Sequence, residues 1–293
     1  MNNEINKLCL IYELKGRQEL YASMYLNILD RMAKMTKIQS TKANYRILNN
    51  RLKGLMEESI VPKNTNEKEV MGYSLALEYI MSDYDNIPFN KDTLIKLHNM
   101  IFSYNDLEIK NIEDIFKYYE FSIKGENNPL IYIPEILFRF IKAEAFKDGN
   151  ARIARLIILL LLFKNGFFIG KYISISYLIE ENKEEYKKSI KKSDSKEFIN
   201  FFLDLIYKAY DIVNNKFLDI AKDNLSSSEK VLRQIIKQIK PVSKEDIIQL
   251  CPDISQRTIE RALKNLQENN KIKKVGVGKT TKYILRGDNK DEN

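Results

Sequence analysis

Histidine is almost missing from this chain: among 293 residues only His98 is present. A zinc site built on several histidines has nothing to draw on, and the lone ring argues against a Ser-His-Asp triad. Cysteine is nearly as scarce. Cys9 and Cys251 lie far apart without metal-ligand spacing, which predicts reduced thiols in a cytoplasmic protein rather than a disulfide framework. Six prolines and ten glycines leave few interruptions to helical stretches. The longest apolar run, Leu156 to Phe163, is far below the ~20 residues that span a bilayer. The opening residues, Met1 to Lys7, are polar and lack the pattern of a signal peptide. A soluble, cytoplasmic chain is expected.

With 44% hydrophobic and 30% charged residues the chain can bury a sizeable core. Its net charge of +8 is unevenly placed. Leu225 to Gly287 holds 14 lysines and arginines against six acids, a surplus of eight, while the remainder carries 34 of each sign. The whole basic excess therefore sits near the C-terminus, and an anionic partner should bind there.

Apolar residues recur at helical spacing over most of the chain. Helices are expected over roughly Glu4 to Lys37, Glu69 to Met81, Asn90 to Ser103, Pro134 to Phe146, Ala151 to Phe163, Lys183 to Lys192 and Ser195 to Asn224. Pro134 suits a first-turn position, and Ile38 to Asn50 reads as a broken polar segment. Ala151 to Phe163 is apolar nearly all round, as a buried central helix should be. The sequence NLSSS, Asn224 to Ser228, marks a boundary, because Ser226 and Glu229 fit a capping box that starts a new helix.

Beyond it, Glu229 to Ile239 reads as a helix, Ser243 and Asp246 form a second box opening Lys244 to Leu250, and Ser255 caps Gln256 to Asn269. Lys271 to Val275 and Thr280 to Leu285 flank a GVGK turn as a hairpin. Three helices plus a β-hairpin is the winged helix-turn-helix pattern, whose last helix enters the major groove of DNA. Gln256, Arg257, Arg261 and Lys264 should look outward from that helix, and Lys279 should sit on the wing. A protein-binding winged helix is the alternative; the concentrated charge favours DNA.

The stretch AEAFKDGNARIARL, Ala143 to Leu156, joins small and charged residues to the head of the apolar helix. Gly149 permits a tight turn whose N–H groups can face an anion. Arg152 and Arg155, one helical turn apart, can fork onto phosphate oxygens, and Asp148 could hold Mg²⁺. Equally, Asp148 and Asn150 can simply cap the helix while the arginines pair with nearby acids.

AEAFKDGNARIARL resembles the signature of the Fic family, HPFx[DE]GNGRxxR. EVMGYSLALEYI and TLIKLHNMIF before it, and FKNGFFIGKYISISYLIEENKEEYKKSI after it, are similar to the flanking parts of that family, over roughly Tyr45 to Tyr210. A C-terminal winged helix is a common companion. The resemblance implies a mainly α, Fic-type helical bundle followed by the winged helix-turn-helix domain. Residues 1–44 would be an N-terminal helical segment, 45–224 the Fic-like domain, 225–287 the winged helix and 288–293 a disordered tail. It implies AMP transfer from Mg²⁺-ATP to a Ser, Thr or Tyr hydroxyl of a target protein. Phe146 would anchor the loop, Asp148 hold the metal, and Gly149, Asn150, Ala151 and Arg152 wrap the phosphates, with Arg155 as the second arginine.

The departures matter as much. Glu144 stands in place of the general-base histidine, Ala145 replaces a proline, and Ala151 replaces the second glycine. Gln39, Ala43 and Asn44 align with an upstream [ST]xxxE[GN] inhibitory motif, whose glutamate is absent. Ser103 to Asn128 shows no counterpart of the flap that positions a target. A glutamate with an ordinary pKa of ~4.3 is a weaker base than histidine at ~6.5, and its charge repels phosphates. The expectation is a degenerate Fic protein, a regulator binding DNA and retaining at most nucleotide affinity. The alternatives are AMP transfer with Glu144 as base, and a non-catalytic partner of an active relative.

Overall fold

The computed structural model describes residues 2–45, 49–102, 109–110, 112–222, 225–238, 240–276, 278 and 281–286. The expected tail, Lys279 and the ends of several predicted loops lie outside these residues. Two compact units are present, Met1–Tyr21 with Ala33–Asn214, and Ala22–Met32 with Asn215–Asn293.

The larger unit is a helical bundle. Where one N-terminal helix was expected, two occur, α1 (Asn2–Met24) and α2 (Leu26–Lys42); α2 runs into the stretch expected to be broken, and α3 (Asn49–Met56) begins at that stretch's end. α4 (Thr65–Asp83) and α5 (Lys91–Ile101) start at Asn64 and Asn90, whose side chains accept from Glu67 and Thr93 N–H. The two helices approach very closely at Gly72, where a Cβ would lie 1.9 Å from the Met100 carbonyl oxygen. No other residue fits that crossing.

α6 (Glu113–Lys124) precedes α7 (Pro129–Ala143). The first-turn proline of α7 is Pro129, and Pro134 sits inside the helix, a correction to the expected start. The helix begins early because Asn128 caps it, accepting from Leu130 N–H at 2.9 Å. α8 (Asn150–Lys164) is the buried central helix, with Ile153, Ala154 and every residue from Leu156 to Phe163 buried. From Leu156 to Phe163 the helix is apolar on all sides and offers no solvent face. A 3-10 turn (Phe168–Lys171), α9 (Ile175–Glu181), α10 (Lys183–Ile190) and α11 (Lys196–Lys222) complete the bundle, α11 running on into the smaller unit.

In the smaller unit both capping boxes form, at Ser226/Glu229 for α12 (Ser227–Ile236) and at Ser243/Asp246 for α13 (Lys244–Leu250). Ser255 caps α14 (Gln256–Glu268) by accepting from Thr258 N–H. β2 (Ile272–Val275) and β3 (Lys282–Leu285) pair antiparallel, with Ile272 opposite Leu285. A third strand, β1 (Val242–Ser243), was not expected; it adds to the far edge of β3, with Val242 opposite Tyr283. Ile235, Ile247, Ile259, Leu263, Leu266, Ile272 and Tyr283 form the core.

Candidate functional site

The stretch between α7 and α8 is shaped by two left-handed residues. Glu144 ends α7 at φ 45°, and Gly149 precedes α8 at φ 82°. Gly149 cannot be otherwise, because a Cβ there would lie 2.3 Å from Phe102 Cε2. Asn150 then folds back on the loop. Its side-chain amide donates to the Phe146 carbonyl (2.6 Å), and its Oδ1 accepts the Phe146 N–H (2.9 Å). Asp148 Oδ1 accepts the Gly149 N–H at 2.5 Å. On the outer side the Lys110 N–H reaches the Ala145 carbonyl at 3.2 Å.

His98, the chain's single histidine, backs this loop. Its ring stacks on Phe146 at 4.3 Å between centroids, and Nε2 lies 3.2 Å from the Asp148 carbonyl oxygen. A carbonyl only accepts, so Nε2 carries the proton. Burial pushes the imidazole pKa below its ordinary value, and the Asp148 contact pulls the other way.

Both arginines are turned onto the chain itself. Arg152 Nη1 bonds Glu69 Oε2 at 2.7 Å, and its guanidinium lies over Tyr45 (4.8 Å) and Phe102 (5.1 Å). Arg155 Nη1 donates to Asn44 Oδ1 (2.8 Å) and the Ala43 carbonyl (3.2 Å), while Nη2 is 3.4 Å from Glu180 Oε2. Lys183 first, and Arg155 after it, hold the Glu180 carboxyl below its usual range. The segment aligned with the inhibitory motif thus reaches Arg155, through the Ala43 carbonyl at that motif's glutamate position and the Asn44 amide beside it. Glu69, Glu180 and Phe102 were missed by sequence reasoning, which had no local pattern to find them.

Glu144 is exposed, as is Asp148, while Ala151 faces solvent on the first turn of α8. Mg²⁺ in a nucleotide site typically takes one or two carboxylates, phosphate oxygens and waters. Here Asp148 is one carboxylate, and among the described residues no three of His, Cys, Asp and Glu converge. The groups that would grip the phosphates, Asn150, Arg152 and Arg155, all hold partners within the chain. As arranged, Asp148 could supply the one carboxylate such a site needs, while the side chains that would grip the phosphates are engaged within the chain.

The second candidate lies in the smaller unit. Ile259, Ala262, Leu263 and Leu266 of α14 face its core, leaving Arg257, Arg261 and Lys264 on the opposite side, all exposed. Lys264 Nζ is 3.8 Å from Glu268 at that helix's end. Gln256 flanks this stripe and donates to Glu260, which Lys244 also holds at 3.0 Å. Gln256 and Lys244 together keep the Glu260 carboxyl below its usual value. Lys273, Lys274 and Lys282 add exposed positive charge on the strands, and Arg286 adds more just beyond β3.

Comparison with known proteins finds a matching family model within each unit. Residues 78–162 match the Fic/DOC family model, and residues 226–286 match the TBPIP/Hop2 winged helix domain. Three solved structures share the fold. A Fic family protein from Desulfovibrio desulfuricans G20 aligns over 98% of this chain and 97% of its own, at 17% identity and a TM-score of 0.59. A Fic domain containing signaling protein from Bacteroides thetaiotaomicron VPI-5482 aligns over 69% and 94%, at 16% and 0.58. Fic-1 from C. elegans aligns over 74% of each chain, at 16% and 0.57. No curated protein matches the sequence.

Proposed function

For a chain that carries a Fic/DOC domain and a winged helix domain, we propose the role of a DNA-binding regulator whose Fic fold is a scaffold and does not transfer AMP. Fic-family members generally use ATP with Mg²⁺. The observation that carries the proposal is the commitment of both arginines. Arg152 is held by Glu69, and Arg155 by Asn44, Ala43 and Glu180. Binding a phosphate would break these contacts and leave Glu69 without its cation, a cost set against whatever the nucleotide supplies. Glu144 adds a carboxylate where a neutral base would serve better.

The DNA half of the proposal rests on α14. Three exposed cations on one helical stripe, opposite the core, suit a major groove bordered by phosphates. Electrophoretic and anisotropy titrations with genomic fragments over a salt series test it. Replacing Arg257 and Arg261 by alanine should weaken binding and lower the slope of log K against log salt by about two. Affinity unchanged in that variant would remove α14 from the interface. Incubation with labelled ATP and cell lysate tests the other half. No label should be transferred; transfer that Glu144→Ala abolishes would make the protein an adenylyltransferase with glutamate as its base.

A further inference from the structure

One long face of α1 is turned to solvent, and it is not uniformly polar. Leu10 is 44% exposed and Leu20 63%. Between them Glu13, Gly16 and Arg17 are also exposed, and a Cβ added at Gly16 would meet no atom within 4 Å. Ile11, Leu14 and Gln18, on the other side of the helix, are buried. Positions 10, 13, 17 and 20 are spaced three, four and three apart, the seam spacing of a coiled coil.

Read in reverse, this face is its own complement. Laid antiparallel on a second α1, so that paired positions sum to 30, Leu10 meets Leu20 and Glu13 meets Arg17. The two-fold axis then repeats both contacts. A self-complementary patch is what an isologous interface demands. Gly16 lies one residue from the axis, about 1.5 Å along the helix, and its missing side chain leaves the flank open where the helices cross.

We propose that this face of α1 is a docking surface for a second copy of the chain, packed antiparallel. In the single chain Arg17 Nη2 and Glu13 Oε1 pair with each other at 2.6 Å. In the dimer each turns to its counterpart across the seam, so the pairing is exchanged rather than lost. The alternation of leucine and opposite charges selects the occupant: a lipid surface would have to bury Glu13, and an unrelated helix would not need the palindrome. One helix face buries less than the ~1,200 Å² of a standard interface, so the dimer is weak and concentration-dependent.

Sedimentation velocity on the full chain, from about 1 μM to about 1 mM, measures it. Wild type should shift from monomer to dimer over that range. Glu13→Arg and Arg17→Glu each set like charges face to face, and each should raise the dissociation constant roughly tenfold or more. The double variant restores opposite charges and should return within about threefold of wild type. All these positions are exposed, and unchanged circular dichroism would establish that the fold is intact. A wild type that stays monomeric, single variants that dimerise as well as wild type, or a double variant that is not rescued would each overturn the proposal.

Discussion

Replacing Gly149 by alanine strikes the loop before α8 in two separable ways. The residue sits at φ 82°, where an L side chain costs roughly 1–2 kcal/mol. The new methyl would also meet the Phe102 ring at 2.3 Å (Cε2) and 2.6 Å (Cζ). That ring has little freedom to yield, being 3% exposed, 4.6 Å from the His98 ring and beneath Arg152. Overpacking of this kind costs about 1–3 kcal/mol. Alanine recovers about 0.4–1 kcal/mol by restricting the unfolded chain. The net loss should be about 1–4.6 kcal/mol, from the strain and overpacking less the recovered entropy. Hydrogen exchange of the α8 amides reads this unit by itself, without the winged helix. A second background divides the two costs. In Phe102→Ala the ring is gone, so Gly149→Ala should there cost only the backbone strain, about 1 kcal/mol. An α8 as well protected in Gly149→Ala as in wild type would refute the reasoning, and so would an equal cost in both backgrounds.

Other consequences can be measured as directly. Glu144 occupies a left-handed helix end that glycine prefers, so Glu144→Gly should stabilise the protein by up to about 1 kcal/mol in thermal unfolding; a loss would mean the carboxylate holds something. Burial depresses the His98 pKa, so the unfolded chain takes up its proton first. Its contribution is complete above its ordinary value of about 6.5 and declines as pH falls below it, a decline that His98→Gln should flatten in melting curves taken from about pH 8 to 5. Cys9 is exposed, while burial pushes the Cys251 thiol up to about 12. A disulfide reagent should titrate one thiol quickly in the native protein and the second only after unfolding; two fast thiols would contradict that burial.

The helices that the sequence announced most clearly are those with chemistry at their own ends. Ser226, Ser243 and Ser255 act within three residues, so their caps could be read along the chain. The apolar run of α8 was equally plain. β1 was not, since two residues cannot show alternation and its partner Tyr283 lies far along the chain. α7 was misplaced because Pro134 looked like a start signal while Asn128 and Pro129 hold the actual start. Within the loop, the residues able to contact an anion could be named, but their occupants could not. Glu69 is 83 residues from Arg152, and Asn44 is 111 from Arg155. Both meetings are products of bundle packing: charge alone did not choose Glu69 among the chain's 40 acids, and Asn44 carries no charge to read.

Asn150 carries a wider consequence. By bonding both the N–H and the C=O of Phe146, its amide treats the backbone as a neighbouring strand would, and it closes the loop from within the chain. Mutational scanning for folded expression should therefore select Asn150 and Gly149 as strongly as an activity screen would in a working enzyme. A fingerprint read as chemistry can persist as architecture. In libraries built on this scaffold, tolerance at Glu144 and Asp148, both exposed, would be the more telling measure of whether any reaction is still under selection.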